Sequence, residues 1–523
     1  MYKIKSSIKC IKEDIINLKY FFFIYALCLI LFIYNNNLGL KTVLLEFLFF
    51  TILTCVLLLV ITKKDMPIHK VAFLIIIIFG ICTLFVSPIF EGPDEFEHLV
   101  RAEMTSKGEL IPQYIDNPNN NKTHKDYLSI RSIYLISQKD SYRGVLIHKT
   151  VFQTPWDTQK IDYTPTFVYC AFAQNPFYGY IAPAIGIIIA KALNLNNMWL
   201  FWLGRLFTLL SYGLISSYAI KKAPIYKEAL FATACFPLLI MQGSVITIDA
   251  LVNSSMLLVI AYFLYMYEFK DHTITWKQIT TFGIIVLICT LTKVTFIFLS
   301  LLIFLIPRRK FKNRNTNIFK TVSFLITGLI TWLWLKLYSN KVIANSTNRR
   351  YYLANEATHK SYILHHFTSY LQALFDPSLY SYLIKDIFFF SNPGYFHKTT
   401  MIFALILFIL FCLEYPQEKK IKKSGRVGLF IIGLLILFST ITTLYLSYTK
   451  RFDIILGVQG RYLTPLLVFA PIIFNINKPH KPRNKTKILF YTMVIFFCTT
   501  LVLSIISQFY ILHHLFPSMK ILI

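Results

Sequence analysis

Val71-Ala72-Phe73-Leu74-Ile75-Ile76-Ile77-Ile78-Phe79-Gly80-Ile81-Cys82-Thr83-Leu84-Phe85-Val86-Ser87-Pro88-Ile89-Phe90 runs straight into Glu91-Gly92-Pro93-Asp94-Glu95-Phe96-Glu97-His98. A membrane-spanning helix needs about 20 apolar residues, with a range of about 17–25, and the stretch 71–90 meets that need. Gly92-Pro93 stops the helix, and Asp94 is a residue type that caps a new one. A cluster of carboxylates and an imidazole is thereby delivered to the boundary of a bilayer.

Comparable runs lie at 20–35, 42–62, 199–219, 227–247, 250–268, 318–337, 399–414, 428–448 and 487–508. The stretch 279–306 is long enough for two short spans with a break at Thr292-Lys293, and 462–475 is a further short one. By the length criterion this makes about 13 spans, an all-α polytopic membrane protein. Composition agrees. Of 523 residues, 56% are hydrophobic and 15% charged, against about 25% charged in soluble domains, and the mean hydropathy is +0.57. Soluble enzyme folds are excluded. The formal charge of +28 sits in short clusters between apolar runs, which is a topology signal and not a phosphate-binding stripe, so nucleic acid is excluded as a partner. Of the nine cysteines, all but Cys10 and Cys170 fall inside apolar runs, without zinc or disulfide spacing.

Lys and Arg in short loops mark the cytoplasmic side. With the N-terminus inside, at Lys3, Lys5, Lys9, Lys12 and Lys19, the clusters Lys63-Lys64, Lys221-Lys222, Lys270 with Lys277, Arg308-Arg309-Lys310, Lys419 to Arg426 and Lys478 to Lys487 all fall inside, provided 176–197 does not cross. Pro183 and Gly186 interrupt that segment, so 176–193 reads as a helix lying in or dipping into the outer interface. The outer loops are then about 91–198 and 338–398, with a smaller one at 449–461. The division is an N-terminal hairpin (1–62, an anchor and not a removed signal peptide), a core with the outer loops (63–475), and a basic inner loop with the last span (476–523).

Candidate chemistry gathers at the outer boundary. If 94–104 is helical, Asp94, His98 and Arg101 share a face by i, i+4, i+7 spacing. A carboxylate there can serve as general base for a hydroxyl or as a metal ligand, and an arginine can hold a phosphate. Asp249, between two spans, and Lys293, at an apex, are ionisable groups at membrane depth that need partners. Arg205 interrupts another apolar run toward the same side. Arg461, in Gly457-Val458-Gln459-Gly460-Arg461-Tyr462, is an outside cation against the positive-inside bias; phosphate binding is one reason for it and pairing with Asp453 another. Two E-x-x-H units, Glu95/His98 and Glu356/His359, lack the further glutamates a di-iron site needs.

Pro93-Asp94-Glu95 with His98 and Arg101-Ala102, and late in the chain Gln459-Gly460-Arg461-Tyr462-Leu463 with Pro465, resemble the bacterial membrane-protein family known as domain-of-unknown-function family 2142. Asn175-Pro176-Phe177-Tyr178, Gly204-Arg205-Leu206 and Asp249-Ala250-Leu251 stand between them in that family's order, and the resemblance runs from roughly 85 to 475. The family is similar in layout to GT-C glycosyltransferases. That likeness implies a GT-C-like bundle and an acidic base in the first outer loop, Asp94 or Glu95. It also implies a juxtamembrane helix at 176–193. GT-C enzymes place the acidic loop after their first span, so 1–62 reads as an added hairpin.

The function expected is transfer of a sugar from a polyprenyl-phosphate donor to an envelope glycan or glycolipid on the outer face of the cytoplasmic membrane. Asp94 or Glu95 takes the acceptor proton. His98, Arg101, Arg205, Asp249, Lys293, Gln459, Arg461 and Tyr462 bind substrate. No cofactor is required, and a divalent metal is compatible. The alternatives are a transporter or flippase of lipid-linked sugar or polysaccharide, and a non-enzymatic envelope-assembly protein. The bilayer, the lipid-linked sugar and the glycan acceptor are the partners.

Overall fold

The structure is a computed structural model that describes residues 66–87, 92–113, 115–116, 125–137, 159–170, 172–339, 355–389 and 420–474. The expected spans 20–35, 42–62, 399–414 and 487–508, the hairpin 1–62 and the segment 476–523 lie outside these residues.

The apolar run quoted above forms α1 (Ile68–Val86). The first large loop follows, with α2 (Glu95–Ser106), β1 (Ile115–Asp116), β2 (Lys125–Ile130), α3 (Arg131–Ser137) and β3 (Pro165–Val168). A 3₁₀ turn, Phe177–Tyr180, leads into α4 (Ile181–Ala192) and then α5 (Trp199–Lys222). Next come α6 (Lys227–Ala234), α7 (Pro237–Gly243), α8 (Asp249–Tyr267), α9 (Trp276–Thr292), a 3₁₀ helix Val294–Leu305 and α10 (Arg314–Trp334). The second large loop carries α11 (Glu356–His365), α12 (Phe367–Leu374) and α13 (Pro377–Phe389). The described chain closes with α14 (Lys423–Ser447), 3₁₀ turns at Gly460–Tyr462 and Thr464–Val468, and α15 (Phe469–Phe474).

Among the described residues, four helices are long and apolar enough to cross a membrane: Trp199–Lys222, Asp249–Tyr267, Arg314–Ser339 and Lys423–Ser447. Large apolar side chains remain exposed along α10, at Ile318, Val322, Leu325, Ile326, Leu329 and Ile330. Such a face has no place in water and suits lipid.

Two expectations need correction. The run 227–247 is not one span. Pro237 has no amide hydrogen and its ring excludes a continuing helix, and Phe236 before it is extended (φ −61°, ψ 133°) as proline demands, so α6 and α7 are separate short helices. Nor is the chain all-α. The first loop holds a three-stranded antiparallel sheet in the order β1-β2-β3. The sheet is tied to α2 and α4 by a buried carboxylate: Glu103 accepts from Ser129 Oγ at 2.6 Å and from Lys191 Nζ at 2.9 Å.

The stretch 279–306 breaks into two apolar legs, both among the shorter helices and neither among the four span candidates. The break falls at Lys293, which is extended (φ −147°, ψ 100°), but the second leg is 3₁₀ and not α. α9 has 17 residues, reaching about 26 Å at 1.5 Å each. The 3₁₀ leg has 12, reaching about 24 Å at 2.0 Å each. The tighter winding lets the shorter leg reach nearly as far back. At its far end the loops 270–275 and 307–312 meet, where His272 and Thr273 donate to the carbonyls of Arg309 and Lys310. Lys270, Lys277 and Arg308 to Lys312 therefore gather at one end of the bundle, and Lys293 sits at the other.

The expected interfacial segment 176–193 forms the 3₁₀ turn and α4. Ile181, Ile185 and Ile188 stay exposed on one face, while Pro183, Ala184, Gly186, Ile187 and Ala190 pack inward. A Cβ at Gly186 would collide with the backbone carbonyl of Leu203, so glycine lets α4 lie directly on α5. Gly186→Leu is expected to lift α4 off α5 and cost about 1–3 kcal/mol, read as a lowered unfolding midpoint of the detergent-solubilised protein; an unchanged midpoint would mean the two helices do not touch there.

Three apolar clusters result. One centres on α1, α5 to α9 and the 3₁₀ leg. A second joins α2, the sheet, α4 and the start of α5. A third joins α12, α13, the end of α14 and residues 455–463.

Candidate functional site

Asp94 is the N-cap residue of α2, in the left-handed region (φ 53°, ψ 27°); its carbonyl accepts from the amides of Glu97 and His98, but its side chain makes no capping hydrogen bond. A non-glycine residue held there costs roughly 1–2 kcal/mol, and such strain collects at functional sites. Its carboxylate turns to Arg461, with Oδ2 at 3.5 Å from Nη2. One turn on, His98 is buried. Its ring stacks on Phe172 with centroids 4.2 Å apart, and its Nδ1 lies 2.7 Å from the Tyr180 hydroxyl. That hydroxyl also accepts from Asn175 Nδ2 at 2.9 Å. The 3₁₀ turn before α4 thus fixes the imidazole.

Asp249 opens α8 and Lys293 occupies the break between α9 and the 3₁₀ leg. Arg461 reaches them from the last described turn. Its Nη1 is 3.2 Å from Asp249 Oδ2, its Nε donates to Gln459 Oε1 at 2.5 Å, and Nη2 lies 3.4 Å from the Tyr462 hydroxyl. Lys293 Nζ sits 3.5 Å above the Tyr462 ring, a cation–π contact. One guanidinium thus bridges carboxylates from residues 94 and 249. The alternative partner Asp453 pairs instead with Arg451 on the surface.

These groups line a cavity of about 230 Å³ together with Phe172, Gln174, Asn175, Thr292, Thr295, Thr440 and Thr443. The cavity is contributed by element ends remote from the basic loops, and it lies where the three apolar clusters meet. Of the residues expected in a site, Asp94, His98, Asp249, Lys293, Arg461 and Tyr462 line it, and Gln459 braces Arg461.

Three do not, and each has a structural occupation. Glu95 and Arg205 form a wholly buried bidentate pair, Nε–Oε1 2.7 Å and Nη2–Oε2 2.6 Å. Arg205 also donates to the carbonyls of Leu84 and Ser87, and Glu95 Oε1 accepts from the amide of Ile246. Neither lines the cavity, so the structure does not bring Glu95 or Arg205 together with the other expected site residues. Arg101 shares its helix face with Asp94 and His98, but its long side chain bends away. It donates to Thr105 and to the carbonyls of Glu109, Leu110 and Asn175, which ties the end of the loop to α2.

The second E-x-x-H unit is also structural. Glu356 pairs with Lys360 at 2.5 Å on the surface, and His359 is wedged between the rings of Tyr445 and Phe452. Among the described residues, no three His, Cys, Asp or Glu side chains group as metal ligands. Asp94 and Asp249 could hold a divalent ion only by giving up Arg461. Burial pushes the Cys170 thiol up to about 12, which keeps it from acting as a nucleophile.

Sequence reasoning missed the neutral wall of the cavity. Phe172, Gln174, Thr292, Thr295, Thr440 and Thr443 carry no pattern that separates them from ordinary loop and span residues. Asp386 was missed as well. It is 2% exposed, and its carboxylate accepts the Gly460 amide hydrogen.

Residues 74–470 match the family described as predicted membrane protein DUF2142. The chain belongs to the DUF2142 family. The matched region takes in every residue that lines the cavity. No curated protein and no solved structure matches the chain. Membership in DUF2142 agrees with the exposed apolar helices and with the sequence resemblance at both ends of the core, while the activity has to be argued from the cavity itself.

Proposed function

We propose that this protein is a glycosyltransferase of GT-C type that moves a sugar from a polyprenyl-phosphate donor to an envelope glycan or glycolipid. The observation that carries the reading is the cavity in which Arg461 and Lys293 stand beside Asp94 and Asp249. The basic loops at the opposite end of the bundle support a cytoplasmic side there, and on this reading the cavity opens at the outer face of the cytoplasmic membrane.

Asp94 serves as general base. It takes the proton of the acceptor hydroxyl as that oxygen attacks the anomeric carbon. The bond from that carbon to the phosphate oxygen breaks, and the electron pair leaves on the polyprenyl phosphate. Arg461 and Lys293 hold the growing negative charge. Asp249 keeps Arg461 oriented. His98, clamped by Tyr180 and Phe172, contacts the sugar or acceptor with Gln174 and Asn175. Displacement in one step inverts the anomeric centre. Two protein cations meet the charge of the phosphate, so the reading needs no metal. A polytopic bundle, with four of its expected spans outside the described residues, surrounds the site on this reading. The transport alternative asks for ionisable groups along a path at mid-membrane, whereas among the described residues those of the cavity gather at one end.

The test compares envelope sugar content in cells that lack the gene and in the same cells supplied with wild type or Arg461→Ala at equal protein level. Wild type is expected to restore a missing sugar and Arg461→Ala to fail, with turnover down about 10²–10³-fold as for loss of a transition-state donor. Full restoration by Arg461→Ala would overturn the enzymatic reading and leave the scaffold alternative.

A further inference from the structure

We propose that Asp386, on the second large loop, is a positioning residue that sets Arg461 in the cavity. The inference rests on the reading of Arg461 as the cation that holds phosphate.

α13 has a buried stripe at Leu379, Leu383 and Asp386, spaced i, i+4, i+7. The first two are leucines of the third apolar cluster, which also holds Val458 and Leu463. A third apolar residue would complete the stripe, but a carboxylate stands there instead. Burying a carboxylate is costly unless it is matched by donors, and Asp386 accepts the amide hydrogen of Gly460. The fit is two-sided. A Cβ at Gly460 would collide with the backbone of Asp386 and Ile387, so only glycine lets the helix reach this amide.

The consequence falls on the next residue. Val458 and Leu463 anchor the turn on either side by apolar contact, and Asp386 pins its middle. The turn closes on itself, with Tyr462 N donating to Gln459 O at 3.1 Å and Leu463 N to Gly460 O at 2.8 Å. With the peptide plane at 459–460 held, Gln459 can brace Arg461 Nε, and the guanidinium reaches Asp94 and Asp249 from a fixed base. A residue in the second loop therefore shapes a site whose acids come from the first loop and from α8.

The test uses the full-length protein in detergent with Asp386→Leu, which keeps the branched shape at a larger volume and removes the acceptor, and Asp386→Asn, which keeps an acceptor oxygen. Hydrogen–deuterium exchange is read on the peptide covering 457–463, and binding of farnesyl phosphate is measured on the same samples. Slow exchange is expected in wild type and Asp386→Asn. In Asp386→Leu it is expected to be fast at 457–463 only, with farnesyl phosphate bound about tenfold or more weakly and peptides from 429–441 unchanged. Equal protection in Asp386→Leu and wild type, or loss of protection in Asp386→Asn, overturns the clamp. If Asp386→Leu does not fold, wild type decides: exchange at 457–463 as fast as at the exposed Arg451–Asp453 loop overturns it too. Failure of wild type to bind farnesyl phosphate would sink the phosphate reading, while the exchange result would still judge the clamp.

Discussion

Asp94→Asn is expected to lower sugar transfer by about 10²–10⁴-fold, the range for loss of a general base, and to leave the unfolding midpoint near that of wild type. The substitution is chosen for its backbone. Asp94 sits at φ 53°, and asparagine tolerates the left-handed region as few other residues do. It is also nearly isosteric with aspartate and can still accept a hydrogen bond from Arg461, but it cannot take a proton at neutral pH. The Asp94 side chain is 31% exposed and its contact to Arg461 is long, at 3.5 Å, so the ion pair contributes little to stability at that wet position. Asp249 still holds the guanidinium at 3.2 Å. Asp94→Ala is the less informative choice, because alanine in this backbone adds strain of roughly 1–2 kcal/mol and mixes folding with chemistry. The measurement is transfer from a labelled polyprenyl-phosphate sugar by purified protein, beside a thermal melt. An Asn variant that turns over like wild type would remove Asp94 from the chemistry.

The first of these residues was legible because a membrane helix, a Gly-Pro stop and an acid follow one another in the chain. Asp249, Lys293 and Arg461 were legible for a different reason: charge at membrane depth is costly, so each advertised a partner. What the sequence did not disclose was which charges partner which. Asp94 and Glu95 are adjacent, and the left-handed turn at Asp94 sends the two side chains in different directions, one to Arg461 and the other to Arg205. Without knowing which side of α2 packs against α5, the two were interchangeable. Arg101 shows the opposite failure. The spacing put it on the face of Asp94, yet a side chain of that length can turn back to carbonyls of its own loop. Asp386 had no signal at all, since one acid among Tyr382, Lys385 and other polar neighbours reads as part of a solvated face. The sheet was hidden by its inward polar residue: Ser129 points to Glu103, which blurs the alternation that betrays a strand.

Arg205→Leu is expected to be the most destabilising single change considered, by about 3–5 kcal/mol, because it leaves Glu95 buried and unpaired. Both side chains are fully enclosed, so water cannot take over. The loss extends beyond the ion pair, since the carbonyls of Leu84 and Ser87 give up their donor where α1 ends. Glu95→Leu should cost a similar amount, as it strands a guanidinium and frees the amide of Ile246. The pair of changes together is the discriminating case. With no charge left uncompensated, the double variant is expected to recover much of the stability, since a buried ion pair replaced on both sides by apolar groups is often near neutral. Thermal melts of the four proteins in one detergent give the coupling directly. If the pair instead belonged to the reaction, with Glu95 as base, each single variant would melt like wild type and lose only turnover. A coupling near zero would therefore reverse the roles assigned to residues 94 and 95, and with them the side of α2 on which the chemistry is placed.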